Sequence, residues 1–457
     1  MLKVGFILPS SNYLANPFRG DPFTHFQILT ILEDYFGSII DARLIDLRGI
    51  EKRFALAHIP ECDVYLHSIY TLDYNEQIGI TNFLRGACPG AIHIAGGHHV
   101  NSFPEKAAKI FDSLILGEGE GNVVLAIQNI LLGKSEKVYR QNAPIDINKY
   151  PYWRRDFLPP AANARKNLMT LKNKPGSENI LGSTVIFSRG CPYSCSFCAM
   201  AHIKSSAPGI RFRNPEHIEA EIKYLKSRYK IEGIVLKDEI ALPLKSEQAA
   251  AHLEAIKKSG ILWRGQCRVD GVNPELARRM AESGCTAMGL GVESVSQKCL
   301  DLINKRASVK KAKETIRLLK ENGIEVRIYL IMGLPGETED IVEQTWSFIE
   351  ETDPDLVYLS LFTVRPGTDV FNYPEKFGIR HVGDDWDNTK HNRLGKDPNE
   401  MLNLTFEYQE QASWGKSLSN DQIVGNYLEL RKRLTERGLY ISEFFKKHVK
   451  DEEKVPA

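Results

Sequence analysis

Apolar residues along the first 140 positions follow two patterns in alternation. Short runs rich in β-branched residues alternate with stretches in which apolar positions recur every three to four residues, clearest from Phe26 to Phe36. The runs that predict strands are KVGFIL, DARLIDL, DVYLHSI, AIHIAGG and DSLILGEGE. Strands that alternate with helices form parallel sheets covered by helices. We therefore predict an α/β domain over residues 1–140, with ligands beyond the carboxyl ends of its strands.

The alternation resumes over residues 183–371. The predicted strands are Ser183–Phe187, GIVLKDE, ILWRGQCR, TAMGLGVES, EVRIYLIMG and DLVYLSLF. Two of the helices between them are predicted to begin at Asn-Pro-Glu, at Asn214 and Asn273, which supplies an N-cap, a proline and an acidic first turn. Six strands with intervening helices predict a partial (β/α)6 barrel, whose site lies at the carboxyl ends of the strands.

Two segments lack this regularity. Residues 141–182 contain prolines and mixed charge, which predicts a linker or a lid. Residues 372–457 begin with a polar, irregular stretch and continue with amphipathic spacing. This last part is predicted to be a small, mainly helical C-terminal cap.

Composition narrows the class of protein. Lys and Arg number 59 against 58 for Asp and Glu, so charge favours neither nucleic acid nor an anionic membrane as an obligatory partner. Hydrophobic residues make up 42% of the chain, and no apolar run is long enough to span a bilayer. Five scattered cysteines are expected to be free thiols, which favours a reducing cytoplasm: Cys62, Cys88, Cys267, Cys285 and Cys299.

The other three cysteines stand together in SRGCPYSCSFC, where Cys191, Cys195 and Cys198 have CxxxCxxC spacing. Three thiolates in one short loop can hold an iron-sulfur cluster, and a four-iron cluster with three protein ligands keeps one iron open to a chelating molecule. Zinc is the alternative, since His202 follows closely enough to complete a Cys3His set. A disulfide is disfavoured because the number is odd.

CxxxCxxC with Phe197 before the last cysteine resembles the radical S-adenosylmethionine (radical SAM) enzymes. The resemblance implies a 4Fe-4S cluster whose open iron chelates S-adenosylmethionine. One electron from the reduced cluster then cleaves this cosubstrate to methionine and a 5'-deoxyadenosyl radical. An electron donor such as a flavodoxin or a ferredoxin is implied as a partner.

Polar residues end several of the predicted barrel strands: Asp238, Glu239, Arg268, Glu293 and Ser294. A carboxylate in this position can accept hydrogen bonds from a ribose or an ammonium group, and an arginine can bind a carboxylate. Each residue alone is also compatible with an ordinary surface charge. Together they form a set at one end of the barrel.

The resemblance extends along these strands and implies roles for their residues. Asp238 and Glu239, in LKDEI, would face the methionyl amine, although the family's usual Gly-Gly-Glu is absent. Arg268 would reach the methionyl carboxylate, and Glu293 in GLGVES would contact the ribose. The backbone near Ile331, in IYLIMGLPGET, would meet adenine, and FTVRPGTDVF resembles the sixth-strand stretch.

Small and polar residues follow the strands of the first domain: Ser68, Gly96, Gly97, His98, Gly117, Glu118 and Gly119. The glycines alone are compatible with tight turns or, weakly, with a dinucleotide loop. In their order, GGHHVNSFPE and then DSLILGEGE resemble the Rossmann-like cobalamin-binding domain that precedes many radical SAM domains. These residues would then let the corrin ring and its nucleotide tail approach the backbone.

The DxHxxG motif that supplies a lower axial histidine to cobalamin is absent. His25, His98 and His99 do not stand in that context. The resemblance therefore implies cobalamin without a histidine lower ligand. The alternative is a domain that has lost cobalamin altogether.

The two resemblances together imply an enzyme that methylates an unactivated carbon of a small-molecule substrate. Cyclisation, ring rearrangement or oxidation with the same cofactors is the nearest alternative. A non-enzymatic cobalamin or redox sensor is another. A methylthiotransferase needs a second cysteine-bound cluster, and the five remaining cysteines are scattered. No residue is predicted as a general acid or base, since hydrogen abstraction by a carbon radical requires none.

Overall fold

The computed structural model describes residues 1–457 except 12–13, 15, 19, 141–143, 150–151, 201–208, 243–246, 384–401 and 442–457. These residues contain two six-stranded sheets, one in each half of the chain. No helix among them is long and apolar enough to cross a membrane.

The first sheet is parallel, in the order β2-β1-β3-β4-β5-β6. Its strands are β1 (Leu2–Leu8), β2 (Ile40–Asp46), β3 (Val64–Ser68), β4 (Ile92–Gly96), β5 (Ser113–Leu116) and β6 (Val138–Arg140). The helices are α1 (Phe23–Phe36), α2 (Lys52–Ala55), α3 (Tyr74–Ala87), α4 (His98–Ser102), α5 (Pro104–Ala107) and α6 (Gly119–Leu131). The predicted doubly wound α/β fold is confirmed. The short strand β6 was not predicted, because three residues carry no readable alternation.

The order of the sheet reverses between β1 and β3. In doubly wound sheets, ligands bind at this point, beyond the carboxyl ends of the strands. The loop that follows β3 contains Tyr70 and runs into α3. The ligand edge of the first domain is therefore set by topology as well as by residue type.

The second sheet is also parallel and follows chain order, β7-β10-β11-β12-β13-β14. The chain enters it through α7 (Pro160–Asn163), and a hairpin of β8 (Ser188–Gly190) and β9 (Ile210–Phe212) interrupts it. The sheet strands are β7 (Gly182–Val185), β10 (Gly233–Leu236), β11 (Leu262–Arg268), β12 (Cys285–Glu293), β13 (Glu325–Met332) and β14 (Leu356–Leu361). The helices are α8 (Pro215–Tyr229), α9 (Glu247–Ser259), α10 (Pro274–Glu282), α11 (Gln297–Leu302), α12 (Val309–Glu321) and α13 (Ile341–Thr352). This arrangement confirms the predicted partial (β/α)6 barrel.

Both predicted Asn-Pro-Glu helix starts are confirmed. The Asn273 side chain accepts a hydrogen bond from the Leu276 amide, as an N-cap should. Asn214 occupies the same position before α8 without a side-chain cap bond. Proline at the first helical position therefore starts both helices, whereas the cap bond forms in one.

Residues 165–174 close the amino-terminal opening of the barrel. The Leu168 carbonyl accepts a hydrogen bond from Arg264 on β11, and the Thr170 carbonyl accepts one from Arg327 on β13. The Lys172 amide donates to Glu325, the first residue of β13. This part of the linker thus seals the end opposite the predicted site. Ile145, nearer its start, lies at the other end, where its amide donates to Glu118 and its carbonyl accepts from Arg211 on β9.

The region after the barrel contains both helix and strand. Beyond α14 (Asp369–Asn372), two antiparallel pairs form, β15 (Ile379–Val382) with β16 (Phe406–Tyr408) and β17 (Gln411–Ala412) with β18 (Gly415–Lys416). The long helix α15 (Asn420–Glu436) follows and packs beside β14 and α13. Residues 442–457, where a further helix was predicted, lie outside the described residues.

Candidate active site

The cysteine loop begins directly after β8, beyond the carboxyl end of β7, and lies between the two strands of the β8–β9 hairpin. Gly190 lies in the left-handed region, with φ 94°, and a Cβ there would lie 2.5 Å from the Gly209 carbonyl oxygen. Only glycine therefore fits immediately before Cys191. Cys195 is buried, whereas Cys191 and Cys198 keep part of their surface open.

The three thiols of the loop are the candidate ligands of the metal site. Among the described residues, no three His, Cys, Asp or Glu side chains lie close enough to hold one metal ion. The thiolates of a 4Fe-4S cluster do not have to meet at one ion, because each of them binds a different iron. Burial, together with the charges of Cys195 and Cys191, raises the pKa of Cys198. His202, the fourth donor of the zinc alternative, lies outside the described residues.

Main-chain and side-chain bonds from distant parts of the barrel fix the cysteine loop. The Ser196 amide donates to the Ile303 carbonyl at 2.9 Å, and the Ser196 carbonyl accepts from the Val370 amide at 3.2 Å. The Asn304 side chain donates to the Ser194 carbonyl at 2.7 Å. These bonds attach the loop to the barrel at several points.

Arg268 holds the same loop from below. Its Nη1 lies 3.6 Å from the Cys195 Sγ, and its guanidinium lies 3.6 Å above the Tyr193 ring. Asp270 accepts from its Nε at 2.9 Å, and the Lys305 carbonyl accepts from its Nη2. The sequence predicted that Arg268 binds the methionyl carboxylate. In the structure its guanidinium bonds these protein groups and Arg268 is 5% exposed, while its contact with the methionyl carboxylate stays a prediction.

Asp238 and Glu239, at the end of β10, differ in their surroundings. Asp238 is fully buried, and its Oδ1 accepts from the Phe187 amide at 3.0 Å and from the Ser188 hydroxyl at 2.5 Å. Burial raises the pKa of Asp238 to about 7. Asp238 thus braces the strand that leads to the cysteine loop. Glu239 is part exposed and accepts from the Gly190 amide, so of the two it is the one that faces the site.

Glu293 ends β12 in the left-handed region, with φ 65°, which is rare for a residue with a side chain. Its Oε1 accepts from Lys305 Nζ at 2.7 Å, and Lys305 is 5% exposed. The Ser294 hydroxyl accepts from the Ser296 amide at 3.2 Å. Backbone strain of this kind concentrates at functional sites, which agrees with the predicted role of Glu293.

Phe197 and Ile331 pack against one apolar cluster, whose buried members include Leu334 and Phe362. Beside it, Glu337 accepts from the Gly333 amide at 2.8 Å and from the Leu334 amide at 3.1 Å. Glu337 therefore fixes the loop after β13. The aromatic residue of the cysteine motif and the strand predicted to meet adenine share one apolar surface.

The loops at the carboxyl edge of the first sheet are partly open. Ser68, at the end of β3, is buried, whereas Gly96, Gly97 and His98 keep part of their surface exposed. A Cβ on Gly97 would lie 2.8 Å from the backbone N and O of Ile69. The protein's own backbone therefore requires this glycine, whose predicted contact with cobalamin stays a prediction.

Glu118 joins the first domain to the cysteine hairpin. Its carboxylate accepts from Arg189 at 3.2 Å and also from Arg211, and Glu120 accepts from Arg189 at 2.5 Å. Arg189 and Arg211 belong to β8 and β9. The sequence placed Gly117, Glu118 and Gly119 at the cofactor, and the structure engages the Glu118 side chain between the domains. Gly117 and Gly119 remain part exposed beside it.

The ligand edge of the first domain lies near the mouth of the barrel. Burial raises the pKa of Tyr70, and the charges of Asp73 and of Glu239, at the end of β10, raise this pKa further. Arg365 is exposed and lies near Cys198, and desolvation lowers its pKa. The loops that follow β3 and β10 are therefore neighbours.

Four residues of this site escaped the sequence analysis: Tyr70, Arg189, Lys305 and Arg365. Arg365 stood inside the quoted FTVRPGTDVF stretch and Tyr70 in a strand-end loop, so their positions gave a signal. Arg189 and Lys305 become recognisable as site residues only through their ion pairs with Glu120 and Glu293, which lie on other elements.

Residues 185–349 match the model of the radical SAM superfamily. An uncharacterised methyltransferase of Pyrococcus horikoshii is 26% identical over 302 residues, which cover 61% of this chain and 62% of that relative. A bacteriochlorophyllide d C-8(2)-methyltransferase of Chlorobaculum tepidum is 22% identical over 418 residues, 86% of this chain and 88% of the relative. This chain thus covers less than two thirds of the length of the Pyrococcus horikoshii relative.

Among solved structures, TsrM of Kitasatospora setae is similar over 94% of this chain and 88% of its own, with a TM-score of 0.65 and 14% identity. TsrM is a radical S-adenosylmethionine methyltransferase whose structure holds cobalamin and a 4Fe-4S cluster. At this identity, the similarity establishes the fold. Residues 185–349 therefore match a radical SAM domain, and the chain as a whole shares the two-domain fold of TsrM.

Proposed function

We propose that this chain is a cobalamin-dependent radical SAM enzyme that methylates an unactivated carbon of a small molecule. The observation that carries the proposal is that the two ligand edges are neighbours: Tyr70 of the first domain lies near Glu239 of the barrel, on the side where Arg365 lies near Cys198. A donor and an acceptor of a methyl group must meet in one water-poor space. Neighbouring ligand edges on two cofactor-binding domains would provide that space.

The residues present fit the implied cofactors. Three thiols on a loop braced by the barrel would hold three corners of a 4Fe-4S cluster and would leave its fourth corner open to a cosubstrate. When bound, the cluster supplies the electron that cleaves S-adenosylmethionine, and the corrinoid supplies the methyl group. The protein's own task is to bind, to orient and to exclude water.

S-adenosylmethionine would be bound by residues on three sides of the barrel mouth. Glu239, beside the Gly190 amide, would accept hydrogen bonds from the methionyl ammonium. Arg365 would bind the methionyl carboxylate in place of Arg268, because it is exposed and lies near Cys198. Phe197 and Ile331 would meet the adenine, and Glu293 the ribose.

The corrinoid would lie along Ser68, Gly96–His98 and Tyr70, at the edge where the sheet order reverses. Its lower face would lack a histidine ligand. His25 is 4% exposed and bonded to the Ile7 carbonyl, and His99 is 1% exposed with its ring stacked on Tyr74. Both are buried in the first domain.

Two further parts of the proposal concern the surroundings of the enzyme. The cluster would be reduced by a flavodoxin or a ferredoxin. A reducing cytoplasm would keep the cysteine loop and the five separate thiols reduced, and all eight cysteines are free in the structure.

Isotope transfer tests the function directly. Anaerobically reconstituted holoprotein, loaded with cobalamin, would be reduced and given S-adenosylmethionine with a deuterated methyl group and a panel of small molecules. Methylation predicts a product that carries the deuterated methyl group, together with S-adenosylhomocysteine and 5'-deoxyadenosine. Formation of 5'-deoxyadenosine with an unmethylated, cyclised or oxidised product would replace methylation by the alternative chemistry. No cleavage at all would contradict both.

A further inference from the structure

Glu293 stands at an irregularity in β12. The register between β12 and β13 shifts between Gly291 and Glu293, so Val292 has no partner of its own on β13. Such a bulge bends the strand and changes the direction of a side chain. Glu293 itself has φ 65°, in the left-handed region. The Glu293 carboxylate therefore points in a direction that a regular strand would not give it.

A buried cation holds this carboxylate. The Glu293 Oε1 accepts a hydrogen bond from the Lys305 Nζ at 2.7 Å, and the two side chains are 13% and 6% exposed. Among the residues that the structure describes, no other donor bonds the Glu293 carboxylate. A hydrogen-bonded ion pair that is largely shielded from solvent is weakly screened and has a defined geometry. Lys305 therefore fixes Oε1 and leaves Oε2 able to accept further hydrogen bonds.

The ion pair has room because residue 291 has no side chain. A Cβ on Gly291 would lie 2.6 Å from the Glu293 Oε1 and 3.0 Å from the Lys305 Nζ. Glycine inside a strand weakens that strand and marks a place where another group approaches closely. Any other residue at this position would therefore displace the carboxylate and the ammonium group together.

The main chain of Lys305 is attached to the cysteine loop. The Lys305 carbonyl accepts a hydrogen bond from the Nη2 of Arg268, and the Nη1 of Arg268 lies 3.6 Å from the Cys195 Sγ. Burial raises the pKa of Cys198, whereas the nearby charge of Lys305 lowers it. Lys305 therefore connects the carboxylate at the end of β12 to the loop that carries the thiols.

We infer that Lys305 is the positioning residue for Glu293, which it orients to accept hydrogen bonds from the ribose hydroxyl groups of S-adenosylmethionine. The inference rests on the proposed function, in which Glu293 contacts the ribose. Lys305 holds the carboxylate through Oε1, and the hydroxyl groups donate to Oε2. Without the cation, the carboxylate would lose its fixed direction and would take up a proton more readily. Lys305 itself bonds no part of the cosubstrate.

Ligand truncation tests the inference on anaerobically reconstituted holoprotein. The variants are Lys305→Met, Glu293→Gln and the two combined. The matched control is Lys257→Met, which removes a lysine from an exposed pair with Glu282. Isothermal titration gives the dissociation constants of S-adenosylmethionine, of its dideoxyribose analogue and of methionine. Iron content and cluster absorbance show whether each variant assembles its cluster.

We expect Lys305→Met to weaken binding of S-adenosylmethionine about 10-fold, because the hydrogen bonds of a charged carboxylate would be misdirected. Binding of the dideoxyribose analogue and of methionine should not change, since neither carries the ribose hydroxyl groups. In the Glu293→Gln background, the lysine substitution should have no further effect. The control should match the wild type.

An unchanged affinity of Lys305→Met for S-adenosylmethionine would overturn the inference. Equal weakening of S-adenosylmethionine and methionine binding would also overturn it and would place Lys305 at the methionyl group instead. Fully additive effects of the Lys305 and Glu293 substitutions would show that the two residues act independently, which contradicts the inference as well.

A second variant covers the case in which Lys305→Met assembles no cluster. Gly291→Ala displaces the ion pair without removing its charges, so it should weaken S-adenosylmethionine binding and leave methionine binding unchanged. Normal binding of S-adenosylmethionine by Gly291→Ala would then overturn the inference. Wild-type protein that binds no S-adenosylmethionine would refute the proposed function itself, which is a different outcome from normal binding in every variant.

Discussion

Two arginines near the cysteine loop differ in their exposure and in their hydrogen bonds. Arg268 is buried and bonded to Asp270, to Lys305 and to the Cys195 Sγ. Arg365 is exposed, and desolvation lowers its pKa. A cation already held by protein groups positions its neighbours, whereas an exposed one can bind an anion. The two residues should therefore respond differently to the same substitution.

Arg365→Gln should weaken binding of S-adenosylmethionine about 10- to 100-fold, because a hydrogen bond to a charged group contributes about 1.5–3 kcal/mol. Isothermal titration of the reconstituted protein measures the dissociation constant. Arg380→Gln, which removes an exposed cation paired with Glu407, is the control and should bind normally. An unchanged dissociation constant for Arg365→Gln would remove this residue from the site.

Arg268→Gln should lower the midpoint potential of the cluster while the iron content stays full. It removes a positive charge and an N–H···S bond, both of which favour the reduced, more negative state. Arg268→Lys keeps the charge without the guanidinium fork and should shift the potential less. Potentiometric titration followed by electron paramagnetic resonance gives the values. A normal potential combined with weak S-adenosylmethionine binding would restore the carboxylate role predicted from the sequence.

At the scale of elements, the β8–β9 hairpin is clamped to the first domain. Glu118 and Glu120 hold Arg189 and Arg211, which flank the cysteine loop in the chain. The loop predicted to touch cobalamin therefore also positions the hairpin that leads to Cys191. A displacement at one ligand edge would be transmitted to the other through this contact.

Breaking the clamp should destabilise the protein. Glu118→Gln is expected to lower the free energy of unfolding by about 1–3 kcal/mol, the cost of leaving charged partners with poorer hydrogen bonds. A double-mutant cycle with Arg211→Gln, followed by urea denaturation, measures the coupling. Arg278→Gln in the exposed pairs of α10 should change nothing measurable. Strict additivity of the two substitutions would show that the clamp contributes nothing.

The loop after β13 should respond to pH through Glu337. Burial raises the pKa of Glu337 from 4.5 to about 8. The folded state therefore holds a proton that the unfolded state releases, and between these values stability falls as the pH rises. Melting temperatures measured from pH 5 to about 8 should decline in the wild type and decline less in Glu337→Gln. Identical slopes would contradict the raised pKa.

Strands and helices with a clear hydrophobic periodicity were predictable from the sequence. The position of residues 165–174, which have no such periodicity, was not. The six barrel strands have apolar runs with polar ends, so their order and the strand-end residues were found. Residues 165–174 close the barrel bottom mainly through main-chain atoms, such as the Leu168 and Thr170 carbonyls. Any sequence offers such atoms, so no pattern of side chains marks this seal.

At the scale of the whole molecule, two domains with separate cores are placed edge to edge. The core of the first sheet and that of the barrel contain different residues, and the described contacts between the ligand edges are largely polar. An apolar interface would close the space between the edges. A polar one is compatible with large cofactors between the edges.

The sequence predicted what each edge carries but not how the edges meet. Phe197 and Ile331 pack against one apolar cluster, a contact that the sequence did not predict. Arg268 was assigned to the cosubstrate because the sequence shows that it ends a strand. The sequence does not show its bond to Cys195, 73 residues away. Tyr70 gains its significance only from Glu239 on the other domain. Contacts between distant segments are a property of the fold, which a local pattern does not encode.

Electron paramagnetic resonance of the reduced, anaerobically reconstituted protein, recorded with and without S-adenosylmethionine, tests the central claim most directly. The account predicts a 4Fe-4S signal that changes when S-adenosylmethionine binds the open iron, that is lost in Cys195→Ala, and that persists in Cys88→Ala, a cysteine outside the loop. Protein that contains zinc instead of iron at the cysteine loop, or a cluster signal that S-adenosylmethionine leaves unchanged, would contradict it.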